Sequence, residues 1–274
     1  MSTTVPFADM DQAFNEVEAE SAFPNGPEPA HQYIIWFTAR SGSSWLTDVM
    51  EQGGLGVPRE WINPRNFEPH TKAFGSKSWD HFFASLRRNW SRNGIFGQEI
   101  TAGFYRVFSR YVDLSKHFDL RAPSMMLFRE DIVLQGISLF FATESGAFHA
   151  ANDGEMKAQL EYDNEKIKHW IRHLHGQENV LRSLFDELGN APKFASYERL
   201  LPQGPSVAIK AVSDMLGISP PVTVEAQPRH TKIGRKLNDE YRDRFIAENA
   251  DYMKRVNDRR DWLFRGLETY SLVS

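Results

Sequence analysis

Apolar residues follow two rhythms along this 274-residue chain. Short, nearly unbroken runs occur at 33–37 (YIIWF), 94–100 (GIFGQEI), 124–128 (SMMLF) and 193–198 (KFASYE). Runs of this length, rich in β-branched and aromatic residues and bounded by Gly, Pro or Ser, predict buried strands. Between them the apolar positions recur every three or four residues. Residues 45–50 continue the first strand into a helix. Trp79, Phe82, Phe83, Leu86 and Trp90 share a stripe across 74–92, and Ile167, Trp170, Ile171, Leu174, Leu181, Leu184, Phe185 and Leu188 share one across 160–188, as a long helix or a pair broken near Gly176. A helix over 207–216 is stopped by Gly217 and the Pro220-Pro221 pair. The highly charged 237–267 has only the thin stripe Tyr241, Phe245, Tyr252 and Val256, which suits a helix capping the fold or meeting a partner. Strands alternating with helices predict an α/β domain of three layers around a mostly parallel sheet.

Residues 1–32 break this pattern. They hold six acidic residues and no Lys or Arg, and end in the Pro/Gly-rich stretch 23–29. We read 1–32 as an acidic extension and linker, and 33–274 as the main domain. Ala13, Phe14 and Val17 can share a helical face that docks on the body or on a partner subunit; a mobile, solvated tail is the alternative.

Composition narrows the function. An apolar content of 41 % with 13 % aromatics fills one large core. The chain has no cysteine, which removes disulfides, thiol chemistry and Cys-ligated zinc and fits a reducing, cytoplasmic setting. No run approaches the ~18 apolar residues of a membrane span. A net charge of −4 gives no general attraction to nucleic acid. His169 and His173 stand four apart but off the apolar stripe and without a completing carboxylate, so no metal is assigned.

The chemistry concentrates between the first strand and its helix, at Thr38-Ala39-Arg40-Ser41-Gly42-Ser43-Ser44. A turn that opens a helix presents free N–H groups and the positive end of the helix dipole, and an arginine with three serine hydroxyls adds to both. The turn lacks the lysine and glycine spacing of a Walker A loop, so a single terminal phosphate suits it better than a triphosphate. It can equally be an ordinary βα loop with Ser44 as the N-cap. Further on, Arg129 ends the third strand and Ser138 follows nine residues later, about two and a half helical turns. Read alone, Arg129 pairs with Glu130 or Asp131, and Ser138 bonds its own helix backbone. Glu60, in the Gly/Pro-rich irregular stretch 53–69, reads by itself as solvated surface.

Two of these segments resemble one family. T-A-R-S-G-S-S-W-L at 38–46 is similar to the 5′-phosphosulfate loop of sulfotransferases that use 3′-phosphoadenosine 5′-phosphosulfate (PAPS). G-G-L-G-V-P-R-E-W at 53–61 resembles the following segment in their bacterial glycolipid-sulfating branch. The Arg129-to-Ser138 spacing matches that branch's 3′-phosphate motif. The resemblance implies a P-loop-like sulfotransferase fold that binds PAPS outside the strand C-termini and releases 3′,5′-ADP without a metal. It assigns Arg40, Ser41, Gly42, Ser43, Ser44 and Trp45 to the 5′ end of the donor and Arg129 and Ser138 to its 3′-phosphate. Arg229 and Lys232 are candidates for a basic closing loop. Ala39, Arg59, Glu60, Trp61, Asn63 and Trp79 fall on the acceptor side, and Glu60 is the implied general base, working with Arg40.

The acceptor so implied is a hydroxylated small molecule, glycan or glycolipid. The resembling enzymes include dimers, so a homodimer is among the assemblies allowed. The chain departs from them at Glu99, where a lysine is common, and at Ala39, where an acceptor-contacting glutamine stands. A P-loop nucleotide kinase and a catalytically inactive nucleotide-binding or scaffold protein are the rival readings.

Overall fold

The computed structural model describes residues 10–22, 26–145, 160–221 and 236–273. Its centre is a parallel sheet of β1 (His31–Phe37), β2 (Ile95–Ile100), β3 (Ser124–Phe128) and β4 (Lys193–Ser196), in the order β2-β1-β3-β4. Every residue of β2 and β3 is buried. This is the condition under which a strand reads as a continuous apolar run. The register aligns Ile35 with Glu99, Trp36 with Met126 and Leu127 with Ala195.

One face of the sheet, bearing Tyr33, Ile35, Phe37, Met125 and Leu127, packs against Leu46 and Val49 of α2 (Ser43–Gln52) and Ile209 and Val212 of α9 (Pro205–Leu216). The opposite face, bearing Ile34, Trp36, Phe96, Met126 and Phe128, meets four helices: α4 (Trp79–Trp90), α5 (Ala102–Phe108), α7 (Asn164–Leu188) and α11 (Ala250–Thr269). A third cluster joins α6 (Ile132–Ser145) to α7 and α10 (Lys236–Glu248) through Ile137, Phe141, Ile171 and Phe245. The layers are those expected of the α/β class.

Three local readings change. Within 53–69, a helix α3 (Pro64–Phe74) begins at Pro64, because Asn63 caps it by accepting from the Arg65 N–H and Pro64 occupies a first-turn position that needs no N–H donor. The expected helix over 74–92 is α4 alone, which starts later, at Trp79, behind its Ser78 cap. Glycine at 176 does not break α7, which runs unbroken for 25 residues. The strand at 193–198 stops at Ser196, whose hydroxyl caps the short α8 (Tyr197–Leu200). The charged tail packs on the body, and its end pairs with β4 through the Phe194–Ser271 bridge.

The described part of the extension is docked. Only α1 (Gln12–Asn15) is helical, but Met10, Phe14 and Val17 are buried. Phe14 meets the edges of Phe67 and Trp79 at 5.6 and 5.1 Å, and the Trp79 indole donates to Asp11 at 2.9 Å. Glu28 accepts from both Arg87 and Arg88.

Candidate functional site

β1 has neighbours reached in opposite directions, β2 on one side and β3 on the other. The connections leaving its C-terminal end therefore diverge and open a crevice, where open α/β sheets place ligands. The 38–44 turn lies there. Arg40 holds a left-handed conformation (φ 65°), and Gly42, the N-cap of α2, another (φ 89°). Gly42, rather than Ser44, caps the helix, and having no side chain it makes no capping bond to the first turn. Trp45 and Leu46 both direct their N–H groups to the Gly42 carbonyl. The N–H groups of Ser43 and Ser44 thus have no acceptor within the helix. The Ser41 hydroxyl is fully buried and has no hydrogen-bond partner. An unsatisfied hydroxyl beside open N–H groups is what an oxyanion would complete. Trp45 is 8 % exposed and packs beneath the turn, in the core, so it supports the loop from below.

The second motif meets the first. Arg40 Nε donates to Ser138 Oγ at 3.0 Å, across 98 residues of chain. Ser138 therefore faces the turn instead of bonding its own helix. One helical turn before it, the fully buried Gln135 donates through Nε2 to Thr38 Oγ1 (2.9 Å) and to the Ala39 carbonyl (2.8 Å). Polar residues three apart in an otherwise apolar α6 were the sequence signal for this clasp.

Arg129 pairs with neither of its acidic neighbours. Its Nε donates to Glu198 at 2.9 Å, and its guanidinium lies 4.8 Å from the centre of the Tyr197 ring. Glu130 is engaged by Ser196 and Arg199, and Asp131 by Arg242. Tyr197 also walls the turn: a Cβ on Gly42 would lie 2.1 Å from its ring. The backbone behind Arg129 is fixed by Arg260, fully buried, which donates to the carbonyls of Arg129 (2.6 Å) and Glu130 (3.0 Å) while paired through two nitrogens with Glu178. Glu198, Tyr197 and Arg260 come from remote sequence, and local pattern could not assign them to this site.

On the β2 side, the segment before α3 runs along the strand. Gly56 (φ 81°) passes so close that a Cβ would sit 2.7 Å from the Ile95 carbonyl, and the Glu99 N–H donates to the Arg59 carbonyl at 2.9 Å. This path brings Glu60 near Glu99. Glu60 accepts from Asn63 at 2.7 Å, and Arg59 pairs with Glu51. Glu99 is 5 % exposed, hydrogen-bonded to Ser43, and its Oε1 has no partner. Burial, reinforced by the charge of Glu60, pushes its carboxyl up to about 8 against the opposing effects of Ser43 and Arg59.

Not every candidate points into this crevice. Trp61 is 4 % exposed, donates to the Val57 carbonyl and stacks on Trp90, so it is a core residue. Trp79 stacks on Phe67 and Phe83 under the N-terminal segment. Arg229 and Lys232 lie outside the described residues. Next to Arg129, a cleft of about 700 Å³ is lined by Glu130, Asp131, Asp258 and Asp261 with Arg242, a charge balance poorly suited to a bisphosphorylated nucleotide.

The segment that supplies Arg129, Ser138, Tyr197 and Glu198 also carries a likeness: residues 119–248, just under half of the chain, match the model of the Stf0 sulphotransferase family. Over that segment the chain is similar to the Stf0 sulphotransferases. Trehalose 2-sulfotransferase of Mycobacterium tuberculosis (strain ATCC 35801 / TMC 107 / Erdman) is 29 % identical over 120 residues, covering 44 % of this chain and 44 % of that protein. The match thus spans under half the length of that relative. Arg40 and Glu60 precede the segment matched to the Stf0 sulphotransferase model, so their roles rest on the geometry and on local resemblance.

Proposed function

We propose that the chain transfers a sulfuryl group from PAPS to a hydroxyl of a carbohydrate, glycolipid or small metabolite. The observation that carries this reading is the Arg40–Ser138 contact, which joins the 5′-type turn and the 3′-type motif into one crevice. A nucleotide phosphorylated at both ends of its ribose needs two anion sites at short separation on one face. The buried, unpartnered Ser41 hydroxyl and the open start of α2 fit its 5′ end. Arg129, held by Glu198 and Tyr197, with Ser138 suits the 3′-phosphate.

In this reading Glu60 takes the proton of the acceptor hydroxyl as that oxygen forms its bond to sulfur. The bond from sulfur to the 5′-phosphate oxygen breaks in line, and 3′,5′-ADP leaves. Arg40 and the first-turn N–H groups stabilise charge growing on the departing phosphate, so they bind the transition state more tightly than the ground state. Asn63 orients the Glu60 carboxylate. A cytoplasmic location and a homodimer accompany this proposal. No helix among the described residues is long and apolar enough to cross a membrane.

The test is incubation with sulfur-labelled PAPS and a panel of sugars, glycolipids and hydroxylated metabolites. Label in an acceptor together with stoichiometric 3′,5′-ADP is expected. Calorimetric binding of 3′,5′-ADP but not of ATP with Mg²⁺ separates the proposal from a nucleotide kinase. Nucleotide binding without transfer to any acceptor would favour a binding protein instead.

A further inference from the structure

Glu99 is the least expected group beside the donor site. It stands on the face of β2 that packs toward α2, in register with Ile35, and its carboxyl reaches Ser43, the first residue of that helix. One carboxyl oxygen is engaged there, and the other is buried without a partner. A helix start whose N–H groups are open, next to a carboxyl that bonds its first residue and keeps a buried, unpartnered oxygen, is incomplete without a ligand. An anionic ligand next to an ionised, buried carboxylate would be expelled by like-charge repulsion. A carboxylic acid has an O–H to give.

We propose that Glu99 is a positioning and specificity residue of the donor site, a carboxylic acid whose O–H donates a hydrogen bond to the oxyanion held at the start of α2. This rests on the donor-site reading given above. The surroundings favour the acid form. The charged and titratable groups facing Glu99 are Glu60 and Arg59 from the segment before α3 and Tyr33 from β1, while Ser43 of α2 hydrogen-bonds to it. Arg59 is already paired with Glu51 of α2. Tyr33 donates its hydroxyl to the Leu55 carbonyl, and burial followed by the nearby Glu99 raises its pKa, so it stays neutral throughout the working range. Burial and the nearby negative charge of Glu60 both favour the acid over the carboxylate.

The consequence is a proton linked to nucleotide binding. Below about pH 8 the site is ready; above it, binding must first restore the proton, and affinity falls toward about tenfold per pH unit. The experiment is calorimetry with 3′,5′-ADP between about pH 7.5 and about pH 9.5, well above the second phosphate pKa of about 6, so the charge of the phosphates changes little across it. In wild-type protein at about pH 9.5, titrations in two buffers of different ionisation enthalpy should report uptake of close to one proton per nucleotide. Glu99→Gln keeps a donor but has no ionisable proton. It should show no uptake and a flat affinity profile, and bind more tightly than wild type at about pH 9.5 by roughly tenfold or more.

Binding without proton uptake in the wild type, or a slope that survives in Glu99→Gln, overturns the role of Glu99 and leaves the donor site standing. Failure of 3′,5′-ADP to bind at any pH overturns both. The wild-type measurement decides the question even if the variant does not fold.

Discussion

The Gly42→Ala substitution probes the turn and the wall behind it at once. Gly42 sits at φ 89°, and a left-handed conformation costs an alanine roughly 1–2 kcal/mol. The added Cβ would lie 2.1 Å from Cδ2 and 2.7 Å from Cε2 of Tyr197, so the ring must move. That ring lies against the Arg129 guanidinium and precedes Glu198, which holds Arg129 Nε, so moving it disturbs the Arg129 site. Overpacking of this kind adds about 1–3 kcal/mol. Together the two terms predict a loss of roughly 2–5 kcal/mol, or about 5–15 °C in melting temperature for a chain of this size. Displacing Tyr197 also shifts Arg129, and an error of about 1 Å at an anion site can cost on the order of 10²-fold.

Thermal melting and calorimetry with 3′,5′-ADP read the two effects. Adding Tyr197→Ala to Gly42→Ala makes room for the Cβ and should return the overpacking part, a coupling of about 1–2 kcal/mol, while the conformational part remains. A Gly42→Ala protein that melts within about 1 °C of wild type and binds nucleotide unchanged would refute the packing of the turn described here.

Three other outcomes follow from the same contacts. Glu60→Gln should preserve 3′,5′-ADP binding and lower kcat by about 10²–10⁴-fold in the transfer assay; near-normal turnover removes Glu60 as the base. Arg129→Ala should weaken binding of 3′,5′-ADP far more than of AMP, which lacks the 3′-phosphate, whereas equal losses contradict its assignment. Arg260→Met leaves Glu178 charged and buried and frees two carbonyls, a loss of about 3–5 kcal/mol by chemical denaturation, and adding Glu178→Leu should recover most of it. A loss in the single variant below about 1 kcal/mol would mean that this pair does not anchor the β3 edge.

What the sequence revealed depended on how local the cause was. β3 coincides with SMMLF because both of its faces are buried, so burial and apolar pattern coincide. The turn after β1 was visible because glycine, hydroxyls and arginine cluster in seven positions. α3 was hidden, since Pro64 and Pro69 read as loop residues, although Pro64 sits where a helix tolerates proline and Asn63 caps it. Gly176 left open a single long helix or a broken pair, and the single helix is found, held on both sides of the glycine by Leu174 and Leu181, both fully buried.

The site divides the same way. Arg129 and Ser138 were paired only through their resemblance to a family motif, and their partners were not readable: Glu198 is 69 residues from Arg129, and Arg40 is 98 from Ser138. Trp61 stood in a stretch suited to a sugar pocket, whereas Trp79 lay on a helical stripe that suits core packing and was an acceptor candidate only by resemblance; the fold turns both into packing. Glu99 looked electrostatically wrong beside an anion until its burial and its neighbour Glu60 were known.

The most direct test of the whole account is the structure of this protein with 3′,5′-ADP bound. The account predicts the 5′-phosphate on the N–H groups that open α2, within reach of Arg40 and Ser41, and the 3′-phosphate between Arg129 and Ser138 on the same face of the ribose. A nucleotide bound elsewhere, or one whose two phosphates meet neither of these groups, would contradict it.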